Sequence, residues 1–200
     1  MMVLCFISFF VSLFCFADMG ANNLHKIEGT STAEIVGSDV FFEIIEPEEL
    51  SYTYRTRPAK NFGPVFELGF SSRVIPLVPV EPADGCGWPS NADDLRGNVV
   101  LVERGECSFV SKTLRAEQVG ASAIIIADYD NRNDELYIEM VDDKTTRKTH
   151  IPATFLVGKN GYIIRKTLQK LHLKQALIRI PLNMTHIPSH KMRQPPWVPW

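Results

Sequence analysis

Residues 99–127 constrain the fold more than any other stretch of the chain. Val99-Val100-Leu101-Val102 is a fully apolar run of strand length, and such a run suits a strand covered on both faces. It ends in the turn Glu103-Arg104-Gly105-Glu106. Ser108 then occupies an N-cap position, where its hydroxyl accepts from a backbone amide one turn into a helix. Over residues 109–119, Phe109, Val110, Thr113, Leu114 and Ala116 fall on one half of that helix and Ser111, Arg115 and Gln118 on the other. Gly120 is a natural stop, and Ala121 to Ala127 follows as a second buried strand. Strand, turn, helix and strand in this order form a βαβ unit with parallel strands and a right-handed crossover. An α/β fold is the consequence.

The flanks add shorter signals. Val40 to Ile45 and Tyr52 to Thr56 have strand composition, and Pro58 to Pro64 reads as a loop. Arg73 to Val78 is expected as an extended edge segment, because Pro76 has no amide to donate to a ladder. Residues 79–98 are punctuated by proline and glycine. Leu136 to Met140 is a short strand or edge piece, and residues 142–150 form a charged loop. Ile151 to Val157 reads as an apolar strand, and Tyr162 to Leu171 as a helix with Lys166, Lys170 and His172 toward its negative C-terminal end. Ala176 to Pro181 closes the fold as a strand. From Pro181 on, seven prolines and tryptophans crowd twenty residues, which predicts an extended tail on the surface.

Both ends bear on the compartment. Met1 to Phe16 carries no charge and is too short for a span of about 20 residues, so it reads as a signal peptide cut after Ala17, or alternatively after Ala21. No Lys or Arg precedes Lys26, so the usual positive lead is missing; an uncleaved anchor or a buried helix is the competing reading. Cys5 and Cys15 would leave with the signal, and Cys86 and Cys107 would remain as one pair. In an oxidising compartment they close a disulfide around 22 residues, worth about 3 kcal/mol in the chain-entropy model; two free buried thiols are the alternative. Asn183-Met184-Thr185 is the one glycosylation sequon of the chain.

The chemistry-bearing patterns are sparse. The sequence holds no G-x-S-x-G, H-E-x-x-H, P-loop or G-x-G-x-x-G pattern. His186 and His190 have metal-like spacing, but Pro188 between them breaks the helix that spacing requires. Asp128, Asp130 and Asp134 alternate as in a calcium loop, yet the sixth-position glycine and the twelfth-position glutamate are absent and Arg132 intrudes. A solvated loop is the expectation, with no metal and no cofactor. A net charge of −2 gives no footprint for nucleic acid. Arg104 and Lys112 bracket a turn that opens onto a helix N-terminus, a natural place for an anion or a backbone carbonyl, and they are the candidate partner-binding residues; the competing reading is that Arg104 and Glu106 are merely solvated. Pro195-Pro196-Trp197-Val198-Pro199-Trp200 either offers polyproline contacts to a partner or folds back over its own domain.

Val100 to Phe109 with its Arg-Gly-x-Cys-x-Phe pattern, Lys112, Ala116, Gly120 to Ile126, Ile151-Pro152-Ala153 and Gly161 together resemble the protease-associated domain family over about residues 75–180. The resemblance implies a mixed α/β fold, a small open barrel or sheet with flanking helices, and no catalytic residue. Taken with the reading of the residues, the chain divides into a signal at 1–17 (or 1–21), a flexible lead at 18–38, the domain at 39–181 and a tail at 182–200. It further implies a secreted, non-catalytic glycoprotein that contacts proteins or peptides and keeps no membrane span once its signal is cut. An accessory of a secreted peptidase is the second reading, and a cryptic hydrolase using the acidic loop the last.

Overall fold

The computed structural model describes residues 39–66, 70, 74–184 and 192–199. The expected signal segment and lead lie outside these residues. In chain order the described elements are β1 (Val40–Glu46), a 3-10 turn (Glu48–Leu50), β2 (Thr53–Pro58), β3 (Ile75–Pro79), α1 (Ala92–Leu95), β4 (Val99–Glu103), α2 (Phe109–Gln118), β5 (Ala123–Ala127), β6 (Ala153–Leu156), α3 (Gly158–Lys170) and β7 (Ala176–Arg179).

The βαβ unit forms where the apolar runs require it. β4 and β5 are parallel, in register from Val99 opposite Ala123 to Glu103 opposite Ala127. β3 and β6 extend the parallel run on either side. The antiparallel strands β7, β1 and β2 complete the circuit, so the order β1-β2-β6-β5-β4-β3-β7 returns to its start. The mixed α/β class holds, and the barrel is closed rather than open.

Closure corrects one expectation. The segment with Pro76 is not an edge, since β3 pairs with β4 on one side and β7 on the other, with Pro76 opposite Leu177. A closed ring has no edges, and only the partner strand, a hundred residues away in the chain, reveals this.

Period-two alternation divides the side chains of β4 and β5 between two cores. Val99, Leu101, Ala123, Ile125 and Ala127 pack with Phe42, Tyr54, Ile178 and, from α3, Ile164 and Leu168. Val100, Val102, Ile124 and Ile126 pack with Phe155, Leu95 and, from α2, Ala116. Phe42 and Tyr54 stack at 4.9 Å, and the Tyr54 hydroxyl donates to the Leu50 carbonyl at 3.0 Å. Burial pushes that phenol far above its ordinary ionisation range.

Two further segments differ from expectation, and the tail takes one of its two expected courses. Helix α3 begins at Gly158, before the expected Tyr162, because two glycines let its first turn press on the end of β5 and the loop that follows it. A Cβ at Gly158 would lie 2.0 Å from the Asp130 carbonyl oxygen, and one at Gly161 would lie 2.3 Å from Ala127 Cβ. Leu136 to Met140 forms no strand; the Lys60 amide donates to the Met140 carbonyl and Lys60 makes one isolated bridge to Val141. The tail returns to the barrel: the Thr53 amide donates to the Arg193 carbonyl at 2.8 Å, and Trp197 packs edge-on against Tyr52 at 5.1 Å.

Candidate functional site

The parallel strands β4 and β5 end together, and the residues that leave them meet. The Arg104 amide donates to the Ala127 carbonyl at 2.8 Å, one step beyond the last ladder pair. This places the Arg104 guanidinium 3.2 Å from Asp128 Oδ1. Asp128 is 7% exposed, and Tyr129 beside it is 66% exposed, with the Arg104 guanidinium 5.4 Å from its ring centroid. A cation over an aromatic face is attracted by the ring quadrupole. The ends of parallel strands in α/β folds are where ligands characteristically bind.

The loop that follows Asp128 is built from side-chain-to-backbone bonds. The Asn133 amide donates to Asp128 Oδ2 at 2.7 Å and to the Leu136 carbonyl at 2.9 Å. Its side-chain oxygen accepts from the Leu136 amide at 2.9 Å. Its backbone carbonyl accepts from the Lys159 amide in the first turn of α3, and Lys159 Nζ reaches Asp134 at 2.9 Å. The Arg132 amide, bonded to Asp130, holds that carboxyl below its ordinary value. Leu136 stands 65% exposed at the end of this frame.

The expectation of a solvated acidic loop is therefore corrected at its root. Asp128 is buried and its oxygens are taken by Arg104, the Tyr129 amide and Asn133. Among the described residues, no group of three or more His, Cys, Asp or Glu is placed to hold a metal ion. His186 and His190 lie outside the described residues.

The N-terminus of α2 is a second ordered corner. The Ser108 hydroxyl accepts from the Ser111 amide at 3.1 Å, as an N-cap does, and donates to Asp143 Oδ2 at 2.6 Å. Bonds from Ser108 and Thr145, with Arg147 alongside, hold the Asp143 carboxyl well below the usual carboxylate range. The charged loop 141–150 is thereby tied to the helix.

Cys86 and Cys107 form a disulfide, with the sulfurs 2.07 Å apart and the Cα atoms 5.9 Å apart. Lys112 turns inward beneath it. The residue is 1% exposed, its Nζ donates to the Asp84 carbonyl at 2.5 Å, and it lies 3.3 Å from Cys86 Sγ. Burial lowers the pKa of this ammonium, against the attraction of Asp84, Glu106 and Glu103. Lys112 thus does not stand beside Arg104 as a surface group; it is withdrawn from partners because its charge is used inside. Asn183 is exposed, and Thr185 of its sequon lies outside the described residues.

Asn133 was legible only as part of a polar run. The available signal was that Asn side chains close Asx turns on their own backbone. Asn160 was not singled out at all: 1% exposed, it accepts the Trp197 indole N–H.

Comparisons with known proteins bear on the family and the fold. The chain is 51% identical over 174 residues to "PRADC1-like protein" of Drosophila melanogaster, covering 85% of this chain and 87% of that one. It is 40% identical over 93 residues to "Signal peptide peptidase-like 2" of Arabidopsis thaliana, but spans 16% of that protein. Among solved structures, the aminopeptidase from Aneurinibacillus sp. strain AM-1 shares the fold with a TM-score of 0.51 at 19% identity, over 72% of this chain and 30% of that one. Residues 74–164 match the PA domain, and the chain belongs to the PA domain family.

Proposed function

We propose that this protein is an exported, glycosylated interaction module that binds a polypeptide through Arg104, Tyr129 and Leu136 and leaves it chemically unchanged. The observation that carries this reading is the Asn133-centred loop, which holds two large exposed side chains in a bonded frame beside a guanidinium. Tyr and Arg are the residues that most often anchor protein interfaces. A loop already ordered before binding loses less entropy on association. The matched part of the larger relatives is a small share of each, as for an accessory module.

Export is supported by the apolar first sixteen residues, the exposed Asn183 in its sequon and the disulfide. Among the described residues no helix is long and apolar enough to cross a membrane. Affinity capture from conditioned medium tests the binding reading. Wild type recovers a polypeptide that Tyr129→Ala/Leu136→Ser does not; equal recovery by both rejects the site.

A second reading has one observation in its favour, the match to a region of a peptidase. In it the protein acts in trans on a secreted peptidase and alters its access to substrate. Purified protein added to secreted peptidases changes their turnover if so, and leaves it unchanged if not.

A further inference from the structure

The contact between Lys112 and Cys86 makes the two ends of the disulfide unequal. The ammonium is buried, it is hydrogen-bonded to a neutral carbonyl, and the sulfur 3.3 Å away is neutral while oxidised. A buried charge without an opposite charge in contact is costly. Among the described residues no carboxylate comes within salt-bridge distance of it; Asp84, Glu106 and Glu103 act from further off. Cys107 has a different setting. It follows the exposed Glu106 and precedes the capping Ser108, and Lys112 makes no bond to it. Both cysteines are half-buried residues.

We propose that Cys86–Cys107 is a thiol-exchange site that takes a low-molecular-weight thiol of the glutathione class, with Cys107 as the attacked sulfur and Cys86 as the leaving group. The incoming thiolate forms a bond to Cys107 Sγ. The Cys86–Cys107 bond breaks, and its electron pair stays on Cys86 Sγ, which becomes a thiolate facing the Lys112 ammonium. No proton moves in this step, and the anion lost from the attacking thiol is regained on Cys86. A second thiolate attacking the mixed disulfide at the small thiol's own sulfur leaves Cys107 as a thiolate and carries away the oxidised dimer of the reagent. In the reverse direction, Cys86 attacks Cys107 and expels the small thiol. An adjacent cation lowers a thiol's pKa, and a lower leaving-group pKa speeds exchange, so the cation next to Cys86 sets the direction. Lys112 acts here as a positioning residue for the leaving thiolate.

The test treats the folded, oxidised, full-length secreted protein with reduced glutathione, quenches with acid, alkylates free thiols and locates both labels by peptide mass spectrometry. The expected result is glutathione on Cys107 and the alkyl group on Cys86, with tryptophan fluorescence unchanged. Lys112→Met is expected to react at least about threefold more slowly at equal folding. Glutathione mainly on Cys86, an even split, or reaction only after unfolding overturns the proposal. So does a folded Lys112→Met that reacts as fast as wild type. If that variant fails to fold, the position of the adduct on wild type decides by itself.

Discussion

The indole N–H of Trp197 donates to the side-chain oxygen of Asn160 across 2.8 Å, and Asn160 is 1% exposed. The bond ties the C-terminal strap to helix α3. Removing the indole also removes the edge-on contact with Tyr52 and leaves a buried amide oxygen without its donor. Trp197→Ala is expected to lower stability by about 3 kcal/mol, and Trp197→Phe, which keeps a ring but orphans Asn160, by about 1–2 kcal/mol. Urea unfolding of the two variants checks both size and order; a Trp197→Phe as stable as wild type would show that the hydrogen bond is immaterial.

Gly161 in α3 and Gly87 in the loop before α1 separate close approach from mere flexibility. Gly161→Ala puts a methyl 2.3 Å from Ala127 Cβ, whereas a methyl at Gly87 meets nothing within 4 Å. The expected losses are about 1–3 kcal/mol for Gly161→Ala and under about 0.5 kcal/mol for Gly87→Ala. Thermal unfolding distinguishes them, and a neutral Gly161→Ala would refute the packing of α3 on β5.

Alkaline pH reports on Tyr137. Burial pushes its phenol from 10.0 up to about 12, with Asp39 adding and Arg55 and Arg57 opposing. Its hydroxyl donates to the Arg55 carbonyl at 3.3 Å. Below pH 10.0 both folded and unfolded chains keep this proton; between 10.0 and about 12 the unfolded chain loses it first, so stability falls as pH rises. Denaturant midpoints across that window should drop more steeply for wild type than for Tyr137→Phe. Parallel curves would remove Tyr137 as the source.

The frame of the loop can be tested apart from its tips. Asn133→Ala removes three side-chain bonds and should raise hydrogen exchange at the Leu136 amide by at least about tenfold, while amides of β4 and β5 stay protected. Unchanged exchange at Leu136 would mean that the loop is held by other contacts.

How much of this was legible follows from the range of each interaction. The βαβ unit was readable because its signals are local: apolar runs, a capping Ser108 and a stopping Gly120 lie within thirty residues. Ring closure was not, because Pro76 meets Leu177 only through the fold. The burial of Lys112 was hidden for the same reason, since its acceptor, the Asp84 carbonyl, lies 28 residues earlier in an irregular loop. Arg104 was identified from its place after a parallel strand. Asp128, Asn133 and Tyr129 looked like one polar run because composition does not tell a buried aspartate from a solvated one. Helix α3 started early because a glycine near a helix start reads as a turn until the surface pressed against it is known.

The central claim is that the end of β4 and β5 is a preformed polypeptide-binding face. The direct measurement places a photoreactive amino acid at Tyr129 and, as a control, at exposed Glu49, irradiates the full-length protein in conditioned medium and identifies products by mass spectrometry. The account predicts a discrete crosslinked polypeptide from position 129 that is absent from position 49 and is lost in Arg104→Ala. Equal crosslinking from both positions, or a product indifferent to Arg104, would contradict it.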